Sequence, residues 1–584
     1  MCGIIGYIGK KKPEKVLIEG LKNLEYRGYD SAGIALKNNE DIQIVKSIGK
    51  ISNLEEKLKN QKIMTSNMGI AHTRWATHGI PSEENAHPHQ VGKITLVHNG
   101  IIENADILRK QLIKEKVNFK SETDTEVVCA LINYYYQGNL YEALEKAIKD
   151  IKGSYALGIM VEGDPALYAI RKDSPLIVGV GKDEMFIASD ISAIINFTNK
   201  YFLLEENEIA EIKENSYRVM KGKEESQKEV LTADISNEAK DKGGYDHYML
   251  KEIMEEPKVL EKTLTPYYQS LSNLPDLGEY EEIHIVACGS AMYAGMIGKA
   301  LLEENAGLKC IVECASEYRY KKVSYDRKTL VLLISQSGET ADTIAAMRKA
   351  NNNNIDTLAI VNVKTSTIAR EAGRSLFIEA GPEIAVATTK AYILQIALLS
   401  LLSYKASKND SSINQDIRKV PILLREILSR RELYLEVAKR IYKENDIFFI
   451  GRKIDYSMCL EGSLKLKEVS YIHSEAYQAG ELKHGTISLI ENNTPVIAIV
   501  TDEEIKDKTI SNIEEVKSRG ALTIVITTEE YSNCHINITI PKISAFLQPI
   551  LIVPVLQLIA YEVAKLRGCD IDKPKNLAKS VTVE

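Results

Sequence analysis

The sequence predicts an α+β domain followed by two α/β doubly wound domains, and three observations carry that prediction. Before residue 230 short strands and turns dominate. After residue 280 the order becomes apolar strand, small-residue turn, then helix, the pattern of a parallel sheet. That second order then recurs at an offset near 160 residues. A chain of 584 residues that is 44% hydrophobic has room for about three domains, each with its own core.

The elements follow in order. Helices are expected at Lys12–Leu24 and Asn139–Ile151, and strands at Ile94–Val97, Ser154–Met160, Leu167–Arg171 and Met185–Ala188. The run Lys10-Lys11-Lys12 reads as a solvated turn. The stretch Lys221–Gly244 is polar and closes on Gly243-Gly244, which places a first domain at 1–240 and a linker with a helix at 241–279. Strands Ile283–Ala287, Leu330–Ile334, Thr357–Val361 and Ser375–Ile378 with the helix Lys390–Tyr404 define a domain at 280–420. Strands Ile447–Ile450, Val496–Val500, Leu522–Ile526 and Ile536–Ile540 with the helix Gln548–Leu566 define another at 430–575, leaving a tail at 576–584. The repeat is of whole domains, too long for a solenoid unit.

Composition removes several classes of function. With 74 Lys+Arg against 81 Asp+Glu the net charge is −7, and no basic stripe marks a nucleic-acid partner. The apolar segments Tyr392–Tyr404 and Ile550–Tyr561 are shorter than the ~20 residues that span a bilayer, so buried helices and no membrane partner are expected. The first residues carry no secretory pattern, and a cytoplasmic location is expected. The eight cysteines form no CxxC pair, so seven are read as buried thiols.

Cys2 differs because of its position. Removal of Met1 would leave its thiol beside a free α-amine, which with a pKa of about 7.7 to 8.0 can serve as base for a nucleophile on the same residue. A thiol at the end of a buried strand is the plainer reading. Four polar segments favour the nucleophile: Glu25-Tyr26-Arg27-Gly28-Tyr29-Asp30-Ser31, His72-Thr73-Arg74-Trp75-Ala76-Thr77-His78-Gly79, Val97-His98-Asn99-Gly100 and Ser121-Glu122-Thr123-Asp124-Thr125-Glu126. Alone each is turn-like, and Asn-Gly is a common hairpin signal. Together they supply an amide-cleaving site: oxyanion donors from the Asn99 side chain and the Gly100 N–H, with Arg74 and Asp124 to hold an amino acid's carboxylate and ammonium.

These segments resemble the glutaminase domain of the N-terminal-nucleophile amidotransferases, which release ammonia from glutamine. The resemblance implies a layered αββα domain with Cys2 as nucleophile and Asn99 and Gly100 as oxyanion hole. It further implies Arg27, Arg74, Thr77, His78 and Asp124 in the glutamine pocket. Five histidines at 72, 78, 87, 89 and 98 raise the question of a metal, but no acidic or Cys ligand recurs at ligand spacing, so neutral core or pocket roles and no metal are expected.

In the first repeat Leu330–Ile334 runs into Ser335-Gln336-Ser337-Gly338-Glu339-Thr340 and a helix beginning near Ala341. Hydroxyls and N–H groups at a helix N-terminus suit a monophosphate, and an ordinary capping segment is the alternative. In the second repeat Glu461, Lys465 and Glu468 share one helix face. Spacing alone favours an exposed ion-paired face; the functional reading is a proton-transfer carboxylate and its tuning partners. Ala479–Gly485 follows as a polar, loop-like cluster, and the chain ends Asn576-Leu577-Ala578-Lys579-Ser580 and four more residues, a stretch of the kind that usually frays.

These features resemble the paired sugar-isomerase domains of the glutamine–fructose-6-phosphate aminotransferase (isomerizing) family. The resemblance implies glutamine and fructose 6-phosphate as substrates, glucosamine 6-phosphate and glutamate as products, no cofactor, and a homodimer in which His484 reaches the partner's site. It implies phosphate at Ser335, Gln336, Ser337 and Thr340, with Val386, Thr388 and Ala578 near the sugar. Lys579 would form an imine, Glu468 would move the C1–C2 proton with support from Glu461 and Lys465, and His484 would assist ring opening. Trp75, the one tryptophan, would gate an ammonia channel.

The chain departs from the family at Cys288-Gly289-Ser290-Ala291, where Cys-Gly-Thr-Ser is usual, at Thr388 in place of Ser, and at Thr486 in place of Pro. Ala291 lacks a hydroxyl expected to touch the sugar, which opens a second reading on another phosphorylated or amino sugar. A sugar-phosphate sensor is a third reading, and Cys2, Glu468 and Lys579 together speak against it. A purine-pathway amidotransferase would share only the N-terminal half.

Overall fold

Alternation along the strand Gly3–Gly9 builds the N-terminal layers. Ile5 and Tyr7 pack with Leu17, Leu21 and Leu54 of the helices Pro13–Leu24 and Ile51–Lys59, while Ile4 and Ile8 pack with Val97, Ala156 and Met160 of a second sheet. The first sheet has eight strands, with Gly3–Gly9 between Glu184–Ala188 and Met68–Arg74, and the second has seven. On the far side of the second sheet Leu108, Val128 and Leu144 seat the helices Ala105–Lys114, Asp124–Tyr135 and Leu140–Asp150. Helix, sheet, sheet and helix give the αββα order. The computed structural model describes residues 2–25, 30–38, 41–75, 79–233, 241–267, 270–325, 327–407 and 413–582. It divides into a unit of residues 1–236 with 580–584 and a unit of residues 237–579.

Three helices here were not expected. Ile51–Lys59 and Ala105–Lys114 bury only three residues each, a thin apolar stripe among charges. Asp124–Tyr135 begins inside a polar segment and is then apolar on every side, with Asp124 to Ile132 all buried, so no amphipathic period marks it. The expected strand at Ile94–Val97 continues to Ile102, and Asn99 and Gly100 pair with Ala156 and Tyr155 within the ladder. Asn-Gly is therefore no hairpin turn in this chain.

The second unit holds two five-stranded parallel sheets. Their orders are Lys309–Cys314, Glu282–Ala287, Thr329–Ser335, Asp356–Val361, Arg374–Phe377, and His473–Gln478, Asp446–Gly451, Pro495–Val500, Leu522–Thr527, Ile536–Thr539. Each repeat gains a strand that hydropathy did not reveal, Lys309–Cys314 and His473–Gln478: both are half-exposed edge strands, the first with charges at Lys309 and Glu313 and the second mostly polar. In each order the second strand in sequence lies outside the first, so the topology reverses between the first and third strands and opens a crevice above their C-terminal ends. Ala287 and Ser335 end those two strands in the first repeat. One apolar core runs through both repeats and takes in the helices Gly289–Ala306, Lys390–Ala406, Ile454–Ser470 and Gln548–Leu566.

The helix Gln548–Leu566 has 19 residues, longer than its apolar segment suggested and sufficient in length and composition to cross a membrane. Every residue from Gln548 to Ala564 is buried in the protein, which marks it as a core helix. The cysteines are all free, but the expectation of seven buried thiols needs correction: only Cys129, Cys310 and Cys459 are fully buried. Cys288 and Cys314 sit at strand ends, and Cys534 and Cys569 in loops, where solvent reaches them.

Candidate active sites

Cys2 precedes the first strand of the eight-stranded sheet, and its sulfur accepts the Trp75 N–H at 3.2 Å. The Asn99 amide nitrogen donates to the Cys2 carbonyl at 3.1 Å. His72 fixes which way that amide points. Its Nε2 faces two oxygens, the His98 carbonyl at 3.0 Å and Asn99 Oδ1 at 3.1 Å, so it carries the proton and leaves the Asn99 NH2 toward Cys2. Burial holds His72 neutral, at a pKa of about 3. Gly100 has φ +140°, and a Cβ there would lie 2.1 Å from the Ser154 carbonyl oxygen, so only glycine fits.

Asp124 opens a helix, where the dipole favours negative charge, and accepts the Ile102 N–H at 3.0 Å. Arg74 ends its strand and donates to the carbonyls of Gly79 at 3.1 Å and Ile80 at 3.4 Å. Burial pushes the Cys2 thiol pKa up, while the Trp75 N–H and the Arg74 charge pull it back. Arg27, Thr77 and His78 lie outside the described residues. The other histidines have packing roles. His72 stacks on His87 with centroids 4.1 Å apart, His89 contacts Thr123 at 3.1 Å, and His98 contacts Thr125 at 3.0 Å. Among the described residues no group of three or more His, Cys, Asp or Glu is placed to hold a metal ion.

In the second unit Ser335 ends its strand and turns inward. Its Oγ accepts the Gly338 N–H at 3.0 Å and lies 3.2 Å from Thr340 Oγ1. Ser337 Oγ accepts the Glu339 N–H at 3.2 Å, and Gln336 gives its carbonyl to the Asn362 N–H. Thr340 stands at the N-cap of the helix Ala341–Asn352 and makes no side-chain capping bond. The loop is thus not an ordinary cap; its hydroxyls cluster over the dipole of a 12-residue helix at the crevice, geometry suited to a phosphate.

Glu461, Lys465 and Glu468 lie on the helix Ile454–Ser470, and they are not the exposed face that spacing favoured. The side chains of Glu461 and Lys465 are 0% and 1% exposed, and that of Glu468 is 20% exposed. Lys465 Nζ lies 2.5 Å from Glu468 Oε2 and 3.5 Å from Glu461 Oε1. Burial raises the Glu461 carboxyl to about 7, with Lys465 opposing and Glu468 adding to the shift. Burial alone would lower the Lys465 ammonium, but the two carboxylates outweigh it and its pKa stands above the usual value. Ser290, in the segment that departs from the family, donates to Glu461 Oε1 at 3.1 Å. Its hydroxyl therefore serves the carboxyl, and the neighbouring Ala291 offers none.

Sequence reasoning missed Glu383. One of its oxygens, Oε2, accepts the Thr388 hydroxyl at 2.7 Å and the Lys579 ammonium at 2.5 Å, so two expected site residues meet on one atom. The Glu383 charge also acts on Lys465, which ties this cluster to the helix carboxylates. The tail expected to fray is anchored as far as Lys579, whose side chain is 7% exposed. Val386 gives its N–H to the Asp572 carbonyl at 3.0 Å, and Ala578 is half-buried. His484 is exposed on a short 3-10 turn, Glu481–His484.

Comparison with known proteins agrees with both halves. A glutamine amidotransferase domain model matches residues 72–196, and an SIS domain model matches twice, at 277–404 and 440–567. A glutamine–fructose-6-phosphate aminotransferase [isomerizing] of Clostridium tetani is 47% identical over 609 aligned positions, covering 100% of both chains. The protein of that name from Thermus thermophilus is 43% identical, again over 100% of both. The solved C-terminal domain of glucosamine-fructose-6-phosphate aminotransferase from Francisella tularensis is 35% identical with a TM-score of 0.55, and covers 57% of this chain and 99% of that one. The chain belongs to the glutamine–fructose-6-phosphate aminotransferase (isomerizing) family.

Proposed function

We propose that this chain takes the amide nitrogen of glutamine and delivers it to fructose 6-phosphate, yielding glutamate and glucosamine 6-phosphate. Residues 1–240 act as the glutaminase, 241–279 as a linker with its helix, 280–420 and 430–575 as the isomerase pair, and 576–584 as the closing tail. Cys2 attacks the amide with its own α-amine as base once Met1 is removed, Asn99 and Gly100 hold the oxyanion, and Arg27, Arg74, Thr77, His78 and Asp124 bind the amino acid. The Asn99 amide, oriented by His72 beside Cys2, supports this assignment. Ammonia then passes a channel gated by Trp75.

At the sugar site Ser335, Gln336, Ser337 and Thr340 bind phosphate, and Val386, Thr388 and Ala578 line the sugar. Lys579 forms an imine at C2. Glu468 moves the proton between C1 and C2, and Lys465 and Glu461 support that transfer. The observation that most favours catalysis over sensing is the carboxylate–ammonium cluster: Glu461 and Lys465 are fully buried beside the partly exposed Glu468, and burying such groups costs several kcal/mol per ion that sugar binding alone does not require. His484, exposed on its own chain, assists ring opening in the partner of a homodimer. The free thiols suit a reducing cytoplasm.

Ala291 keeps a second substrate in play, a phosphorylated sugar with a different hydroxyl pattern. Incubation with glutamine and a panel of hexose phosphates decides between them. Glucosamine 6-phosphate formed fastest from fructose 6-phosphate supports the proposal, and a faster amino sugar from another ketose phosphate replaces it.

A further inference from the structure

We propose that Glu383 is the acid–base group for the imine at Lys579, a role that rests on the imine reading above. An ammonium cannot attack a ketone, so Lys579 must first lose a proton in a place where water has little access. Its side chain is 7% exposed, and the acid it touches is Glu383, whose side chain is 0% exposed, at 2.5 Å. The other carboxylate oxygen, Oε1, is held by the N–H groups of Thr389 at 3.0 Å and Ala391 at 3.1 Å, at the start of the helix Lys390–Ala406. Oε2 is the oxygen shared between Lys579 and the Thr388 hydroxyl.

The proton count closes. The Lys579 ammonium gives one proton to Glu383 Oε2, and the freed Nζ lone pair bonds to C2 while the carbonyl π pair moves to oxygen. A second Nζ proton passes to that oxygen, giving a neutral carbinolamine. Protonated Glu383 then returns its proton to the carbinolamine hydroxyl, which leaves as water as the nitrogen pair forms the C=N bond. The result is a protonated imine beside a carboxylate, with no net proton gained or lost.

The surroundings favour both directions of transfer. Burial pushes the Glu383 carboxyl up, and the Lys579 charge is the largest influence opposing it, holding it near 2 while the pair is ionised. When Lys579 gives up its proton that opposition vanishes, and burial makes Glu383 a stronger base at the moment it is needed. The other charges facing it are Glu252, Glu256 and Lys465, with Lys390 nearby on the next helix paired to Glu255 at 2.9 Å.

The test is reductive trapping. The full chain is incubated with fructose 6-phosphate and cyanoborohydride from pH 6 to 9, and the adduct at Lys579 is quantified by peptide mass spectrometry. Wild type should label Lys579 with a flat pH profile. Glu383→Gln should label on the order of 100-fold more slowly at neutral pH, with a rate that climbs with pH as hydroxide replaces the missing base. Glu383→Asp, which keeps the charge but withdraws it by one carbon, should recover part of the rate, and it carries the test if the Gln variant does not fold. Labelling of both variants within roughly 3-fold of wild type, with an unchanged pH profile, overturns the role of Glu383. Wild type that isomerises sugar without labelling Lys579 overturns the imine reading, and this role with it.

Discussion

Replacing Glu461 with Gln should stabilise the protein, and more at alkaline than at acid pH. The carboxyl is fully buried, and its pKa stands at about 7 against an ordinary 4.5. A carboxyl raised in this way binds more protons folded than unfolded between those two values, so stability falls as pH rises through that window and the penalty is complete above it. At about 1.36 kcal/mol per pKa unit, the penalty is about 3 kcal/mol at pH 8.5 and shrinks to about 1 kcal/mol at pH 5. Gln keeps the shape and removes the charge, so Glu461→Gln should gain about that much at each pH. Urea unfolding of both proteins at the two pH values measures it, and the difference between them cancels groups present in both, such as Glu252 and Asp455. A variant no more stable than wild type at pH 8.5, or equally stabilised at both pH values, would refute the argument that burial suppresses this charge.

Two further outcomes are expected. Gly100→Ala puts a Cβ 2.1 Å from the Ser154 oxygen at a backbone angle that L residues avoid, so glutaminase turnover should fall 10²- to 10³-fold, on the order of one lost oxyanion donor, as measured by glutamate release. The proposed homodimer is tested by complementation: His484→Ala and Lys579→Ala should each lose synthase activity when expressed alone. Co-expressed in equal amounts they should recover roughly a quarter of it, because half the dimers are mixed and each mixed dimer keeps one intact site. No recovery places His484 in its own chain's site.

What the sequence disclosed depended on how local the signal was. The hydroxyl-rich loop Ser335–Thr340 and the helix that follows it were readable because hydroxyls, turn and helix start are contiguous. The face shared by Glu461, Lys465 and Glu468 was readable from spacing, but its burial was not, since the cover comes from helices far along the chain such as Gly289–Ala306. Glu383 was illegible because its partner Lys579 lies 196 positions away. Asn99–Gly100 was ambiguous because the same dipeptide serves a turn or a glycine-requiring strand position, and the approach of Ser154 from the next strand decides it. The helix Asp124–Tyr135 was hidden because Asp124 to Ile132 are all buried, and the two half-exposed edge strands by lacking apolar alternation.

The central claim is that one chain moves nitrogen from glutamine to a sugar phosphate without releasing it. Glutamine labelled with 15N at the amide, supplied with fructose 6-phosphate in excess unlabelled ammonium, tests it in one mass spectrum. The account predicts glucosamine 6-phosphate carrying undiluted 15N; an amino sugar bearing mainly unlabelled nitrogen, or none formed at all, would contradict it.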